Sequence, residues 1–370
     1  MSIKVLHVYK TFFPETVGGG EQVIFQLCKN AEIESRVLCL TKSNKKSVKN
    51  YEGVKVIRYP QTFSYASCPI SIQALLNFKK EADWADIIHY HYPWPFGDVL
   101  SLFAAKKKSV VTYHSDIVKQ KILRCLYYPL EQWFLSKVDK IIATSPNYAS
   151  TSSNLIKFKS KVKVIPIGID KGNYPKPNLE NCQRLKKKFG NKFFLFIGQL
   201  RYYKGLDVLL EAMAGEDYQL VIAGMGSEND SLKKQAHEKK LDNVHFLGQI
   251  DDRQKVDLLN ACLCLVLPSN LRSEAFGITL VEGAMFSKAL ISCAIGTGTD
   301  YINQHEQTGF VTPPHDQIAL RKAMSLLAKN TDLAKKMGKA AHKRYKTLFT
   351  SEAMKEKTIN LYKSLLKVES

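Results

Sequence analysis

Long apolar runs are missing. No hydrophobic stretch in the 370-residue chain approaches the roughly 20 residues that a membrane span needs, although apolar residues make up an ordinary 45% of it. Cysteine is present without pattern. Eight occur and none forms a C-x-x-C pair, so neither a zinc site nor a disulfide framework is legible, and reduced thiols in a cytoplasm are expected. Cys262 and Cys264 alternate within an apolar run and should face opposite sides of a strand. There is no low-complexity tract, no Asp-x-Asp triad to hold a divalent ion, and no familiar nucleic-acid-binding signature. The opening MSIKVLHVYKTFF lacks a small-residue cleavage site and reads as a first buried strand, not a signal peptide.

Acidic residues are scarce relative to basic ones, giving a net charge of +20. Residues 1–170 carry 24 Lys/Arg against 13 Asp/Glu, and the remainder carries 30 against 21. The excess is therefore spread over both halves. An enzyme working on anionic lipid or a phosphate-bearing substrate fits this charge. General solubility fits it as well.

Short runs rich in Val and Ile, the mark of buried parallel strands, recur throughout. The first half has IKVLHVY (3–9), RVLCLT (36–41), VKVIRY (54–59), DIIHYH (86–91), SVVTYH (109–114), KIIATS (140–145) and KVKVIPIG (161–168), with helical patterns at 21–30, 71–83 and 146–157. The alternation then repeats, with FFLFIG (193–198), YQLVIAG (218–224), NVHFLG (243–248), LCLVLP (263–268) and ALISCA (289–294). This is a βαβ signature given twice. A join falls at 169–182, where Gly172, Pro175 and Pro177 interrupt periodicity. Two doubly wound α/β domains are expected, residues 1–170 and 171–349, with ligand in the crevice outside the carboxyl ends of their strands.

Residues at those strand ends carry the chemistry. Gly18 and Gly19 precede a helix expected near Glu21, where backbone amides can approach a phosphate. His114 ends a strand, and a neutral imidazole can bond a sugar hydroxyl. His89 and His91 share a strand face, which could suggest a metal, but no acidic neighbour is in reach by sequence. Arg201 and Lys204 follow another strand, where two cations could neutralise a diphosphate. Gly224 and Gly226 again link a strand to a helix.

SNLRSEAFGITLVEGAM (269–285) is the most informative stretch. Glu274 and Glu282 stand eight positions apart, which in one continuous helix would leave them about 80° apart. A turn at Gly277 with a helix starting near Ile278 instead puts Glu274 before the helix and Glu282 about one turn inside it. Free amides and the positive dipole end then lie beside two carboxylates.

GGGEQ, TYHSD, GQLRYYKG, AGMGSE, NVHFLG and EAFGITLVE together resemble, in order and over nearly the whole chain, the family 4 retaining glycosyltransferases of the GT-B fold. SCAIGTGTDYIN (292–303) looks most like bacterial mannosyltransferases that build O-antigen or related surface polysaccharide from GDP-mannose.

The resemblance implies two Rossmann-like domains facing a central cleft, with a terminal helix (about 350–370) crossing back to the first domain. It gives Glu274 and His114 contacts to the donor sugar, and Glu282 the ribose. Phe276, Gly277 and Ile278 would meet sugar and phosphate through their amides. Gly18 and Gly19 would approach the diphosphate, backbone near Ile250 the base, and Gly226 would line the substrate site. No metal or cofactor is implied beyond the nucleotide sugar, so leaving-group charge should fall on Lys204, Arg201 and the helix end. The partners implied are GDP-mannose or another nucleotide sugar, a saccharide acceptor linked to polyprenyl diphosphate, and the anionic inner face of the membrane. No nucleic acid is expected. One position departs from the pattern: Gln199 stands where many members carry arginine, and Arg201, two residues on, can share its face. The basic and aromatic stretch 116–135, with Lys119, Lys121 and Arg124 and a break expected at Pro129, is the candidate acceptor-side surface. It reads either as an interfacial helix on an anionic leaflet or as an ordinary amphipathic helix packed on the sheet.

Overall fold

A computed structural model describes residues 2–16, 18–104, 107–117 and 121–367, with the side chains of 121–124 excepted. The chain divides into two compact units, Met1–Gly168 with Ser351–Ser370, and Ile169–Thr350.

In the first unit the Val/Ile runs become strands of one eight-stranded sheet. In chain order these are β1 Ile3–Val8, β2 Ile33–Thr41, β3 Ser47–Tyr51, β4 Val54–Pro60, the short pair β5 Phe63–Tyr65 and β6 Cys68–Ile70, then β7 Ile87–Tyr92, β8 Lys108–Tyr113, β9 Lys140–Ala143 and β10 Val162–Val164. The sheet order is β10-β9-β8-β7-β1-β2-β4-β3, parallel except that β3 pairs antiparallel with β4 at the edge, while β5 and β6 form a separate hairpin. Neither β3 nor the hairpin is announced by apolar runs, because both lie largely in solvent. The central strand β7 is buried along its whole length. The C-terminal helix Ser351–Leu366 packs on this unit. Its Tyr362 hydroxyl lies 2.5 Å from His89 Nδ1.

The second unit holds β11 Phe194–Ile197, β12 Leu220–Ala223, β13 Val244–Gly248, β14 Cys264–Leu267, β15 Ala289–Cys293 and β16 Gly309–Thr312, in the all-parallel order β13-β12-β11-β14-β15-β16. The order reverses direction beside β11, which is where a doubly wound sheet opens its ligand crevice.

Several sequence expectations need correction. The first helix begins at Gly19, two residues before Glu21. The 146–157 segment is two helices, Pro146–Thr151 and Ser153–Lys157, meeting at Ser152, whose extended backbone ends the first and caps the second. Cys262 caps the end of helix Asp252–Ala261 instead of sharing a strand with Cys264. Pro129 sits inside helix Lys121–Lys137 without ending it. Among the described residues no helix is long and apolar enough to cross a membrane.

Candidate active site

The second unit assembles most of the sequence-derived positions. The chain leaves β14 at Pro268, loops through Glu274, and enters helix Ile278–Met285. Gly277 caps that helix with φ +90°, a left-handed conformation that a side chain would strain. Thr297 Oγ1 donates to the Glu274 carbonyl at 2.7 Å and the Gly298 amide to the Ala275 carbonyl at 2.9 Å, which hold the loop in place. Among the described residues the amides of Phe276, Gly277 and Ile278 donate to no protein acceptor. Such a helix start is suited to an anion.

The structure brings Lys204 to Glu274. Lys204 follows β11 in a single 3₁₀ turn, and its ammonium lies 2.5 Å from Glu274 Oε2, with both side chains about nine-tenths buried. Ser269 Oγ donates to the same oxygen at 3.0 Å. A cation and a carboxylate are thus held together at one strand end, although 70 residues separate them. Removing either partner of such a pair costs about 3–5 kcal/mol where both are fully desolvated.

Glu282 is buried one turn inside the helix. Its Oε1 accepts from the Tyr174 hydroxyl at 2.8 Å and meets Lys255 Nζ at 3.1 Å. Lys255 also reaches Asp252 Oδ1 at 2.9 Å. Burial alone would lower the lysine's pKa, but Glu282 and Asp252 outweigh it and raise it. Burial and Glu282 raise the Tyr174 phenol, which stays protonated and donates.

Arg201, Gly226, Ile250 and Lys255 line one cavity of about 610 Å³ with Gly198 and Ser227. Gly226 is needed for close approach, because a Cβ there would sit 2.2 Å from the Leu200 carbonyl oxygen. Arg201 is exposed, and its Nε donates to Gln199 Oε1 at 2.8 Å, so the glutamine that replaces the usual arginine fastens the displaced one.

In the first unit, Gly18 and Gly19 stand at the start of helix Gly19–Cys28, where Glu21 turns back to Thr11 Oγ1 at 2.6 Å. Tyr9 touches both sides of this region. Its hydroxyl lies under Gly20 and its ring is 6.2 Å from that of His114. Burial, with Lys10 nearby, lowers the His114 pKa to about 4, so the ring is neutral at pH 7 and able to bond a hydroxyl. His114 Nε2 lies 3.1 Å from His91 Nδ1. The cationic positions Lys119, Lys121 and Arg124 lie outside the described residues and side chains.

Tyr174, Ser269, Lys255 and Asp252 were missed in sequence. The motif Asp251-x-x-Gln254 could have found the neighbourhood of Lys255. It is a capping box, with the Asp251 side chain accepting the Gln254 amide at 2.8 Å, and it opens the helix that carries Lys255. No comparable signal exists for Tyr174, which lies in the irregular join.

Two parallel, doubly wound units with phosphate-suited strand ends form the GT-B architecture of sugar-nucleotide transferases. The family model "Glycosyl transferases group 1" matches residues 179–344, and "Glycosyltransferase Family 4" matches residues 17–172. The chain is 48% identical over 353 residues to the D-rhamnosyltransferase WbpZ of Pseudomonas aeruginosa, covering 94% of this chain and 93% of that protein. It is 44% identical over 372 residues to the O-antigen chain mannosyltransferase C of Escherichia coli, covering 100% of both. Among solved structures, sucrose-phosphate synthase from Thermosynechococcus elongatus superposes with a TM-score of 0.82 at 21% identity, covering 99% of this chain and 100% of that one. Anabaena HepE in complex with UDP and glucose superposes at 0.78 and 19% identity, covering 98% and 100%. The chain belongs to the family 4 glycosyltransferases. It is an enzyme, a glycosyltransferase of the GT-B fold.

Proposed function

We propose that this enzyme transfers mannose from GDP-mannose, with retention of configuration, onto a saccharide acceptor carried on polyprenyl diphosphate, in the synthesis of surface O-antigen polysaccharide. The similarity to an O-antigen mannosyltransferase over the whole of both chains supports the sugar and the pathway. The observation that carries the chemistry is the Lys204–Glu274 pair beside the open helix start at Gly277.

In this reading the amides of Phe276, Gly277 and Ile278 meet the donor's sugar and phosphate. Lys204 and Arg201 take up the charge that grows as the diphosphate leaves, the point at which an interaction lowers the barrier. Glu274 holds donor-sugar hydroxyls. Glu282 holds the ribose through Oε2, which meets no donor among the described residues, while Tyr174 and Lys255 fix Oε1. Gly18, Gly19 and Gly226 give the diphosphate room and backbone near Ile250 meets the base. His114 offers a neutral ring to the sugar. The acceptor oxygen bonds to the anomeric carbon as the bond to the phosphate oxygen breaks, and that oxygen takes the acceptor's proton. No protein nucleophile and no metal are invoked.

A second reading is favoured by one observation, the 48% identity to a D-rhamnosyltransferase. D-rhamnose is mannose without its 6-hydroxyl, so the two donors differ by one hydrogen-bonding group. Thermal stabilisation by nucleotide sugars separates the readings, since a ligand at 100 times its Kd adds about 2.7 kcal/mol. GDP-mannose should stabilise more than GDP-D-rhamnose and more than any UDP-sugar. A clear win for a UDP-sugar would overturn the donor assignment. The product's anomeric configuration, read by NMR, tests retention.

A further inference from the structure

Four histidines that the transfer chemistry does not require all together lie side by side in the first unit. His7 on β1 and His89 and His91 on β7 face one side of the sheet and are entirely buried, and His114 follows β8. His7 Nδ1 lies 3.1 Å from His91 Nε2, and His91 Nδ1 lies 3.1 Å from His114 Nε2. His89 is fastened separately. Its Nδ1 meets the Tyr362 hydroxyl at 2.5 Å and its Nε2 meets Thr112 Oγ1 at 2.7 Å, and its ring stacks on His91 with centroids 4.5 Å apart. One buried nitrogen is left over: His7 Nε2 has no hydrogen-bond partner.

A neutral imidazole has one N–H and one lone pair. Each ring-to-ring bond joins an N–H to a lone pair, so choosing the tautomer of one ring decides the others. Either His7, His91 and His114 all carry their proton on Nδ1, or all carry it on Nε2. We propose that His7 and His91 are positioning residues forming a tautomer-locked wire, which decides whether His114 presents a donor or an acceptor at its outer nitrogen, Nδ1. Among the described residues Nδ1 of His114 has no protein partner.

Burial keeps the rings neutral, with His7 lowered to about 3 and His89 and His91 well below the ordinary histidine range. An orphaned buried nitrogen needs a reason, and the wire supplies one. Its inner end has to terminate somewhere, and it terminates at His7. His7, His89 and His91 each offer a nitrogen within 4.8 Å of the others, a spacing that would also invite a metal ion. However, both nitrogens of His89 and of His91 are already engaged, and the group contains no carboxylate to balance a buried dication.

The significance of the wire rests on the proposed contact between His114 and the donor sugar. Nitrogen-15 histidine NMR on the full chain should show one and the same tautomer in His7, His91 and His114. Different tautomers among the three, or a shift of these signals on adding zinc alone, would overturn the wire. Kinetics then tests its purpose. His7→Phe keeps a planar aromatic ring, removes both nitrogens, and should change the His114 tautomer while lowering kcat/KM for the donor about tenfold, the worth of one well-placed hydrogen bond. In a His114→Phe background the same change should have no further effect. A His7 that only props up the fold would lower activity equally in both backgrounds, which overturns the positioning role. If His7→Phe does not fold, His91→Phe takes its place in the same cycle and the tautomers of the parent still decide. A harmless His114→Phe with uniform tautomers would instead sink the sugar contact and leave the wire standing.

Discussion

Acid should unfold the first unit before it disturbs the second, and the histidines give the size of the effect. His7, His89 and His91 are held neutral by burial, with folded-state pKa values well below the 6.5 of an exposed imidazole. Their folded pKa is lowered, so below pH 6.5 the unfolded chain binds protons that the folded chain refuses. Stability is therefore full above that pH and falls as pH falls. Each ring contributes a slope approaching 1.4 kcal/mol per pH unit, so three rings cost about 4 kcal/mol between pH 7 and 5.5. Against a domain stability of roughly 5–15 kcal/mol this is a large fraction.

The assay is urea unfolding followed by tryptophan fluorescence. All three tryptophans, Trp84, Trp94 and Trp133, lie in the first unit, so the signal reports on that unit alone. The unfolding midpoint should drop steeply between pH 7 and 5.5 at constant slope in urea, and His7→Phe should remove about a third of the drop. A midpoint that does not move would refute the claim that these rings stay neutral. Glu211, whose pKa is lowered chiefly by its bond to Lys239, sits in the second unit and titrates at lower pH, so it does not enter this signal.

Lys204→Ala should lower kcat about 10²–10³-fold, the usual loss when one transition-state charge partner is removed. Near-normal turnover in a folded variant would take Lys204 out of the chemistry. Arg201→Ala asks the narrower question of whether the charge displaced from position 199 acts from 201, and a turnover like the parent's would answer no. Gly226→Ala should weaken nucleotide binding measured by calorimetry, because its Cβ would strike the Leu200 carbonyl. Activity should survive excess EDTA, and a complete loss restored by magnesium would overturn the metal-free mechanism. Binding to anionic vesicles should weaken with salt and again when Lys119, Lys121 and Arg124 become Gln, each cation contributing about 1 kcal/mol. Helix Lys121–Lys137 leaves Leu126 78% exposed, and unchanged binding by the triple variant would exclude this stretch as an anchor.

The sequence by itself determined the repeating units and the places where they end. Strands buried on both faces are mostly apolar, so β11 and β14 are visible as unbroken runs, and β1 and β7 as runs interrupted by Lys4 and His7 and by His89 and His91. The residues of the proposed site then lie where the runs stop, at His114, Lys204 and Gly226. The turn at Gly277 was legible too, since the eight-residue gap between Glu274 and Glu282 fits poorly on one helix and a flexible glycine lies between them. What the sequence did not contain was which strand end lies beside which. Lys204 reaches Glu274 because β11 pairs with β14 and not with a sequence neighbour on that side. Tyr174 reaches Glu282 across 108 residues, and His7 reaches His91 across 84 because β1 lies against β7. Periodicity records whether a face is buried but not what it is buried against. Strand order is settled by the packing of the whole sheet, and only that order turned a scatter of strand-end residues into a paired cation and carboxylate and a line of histidines.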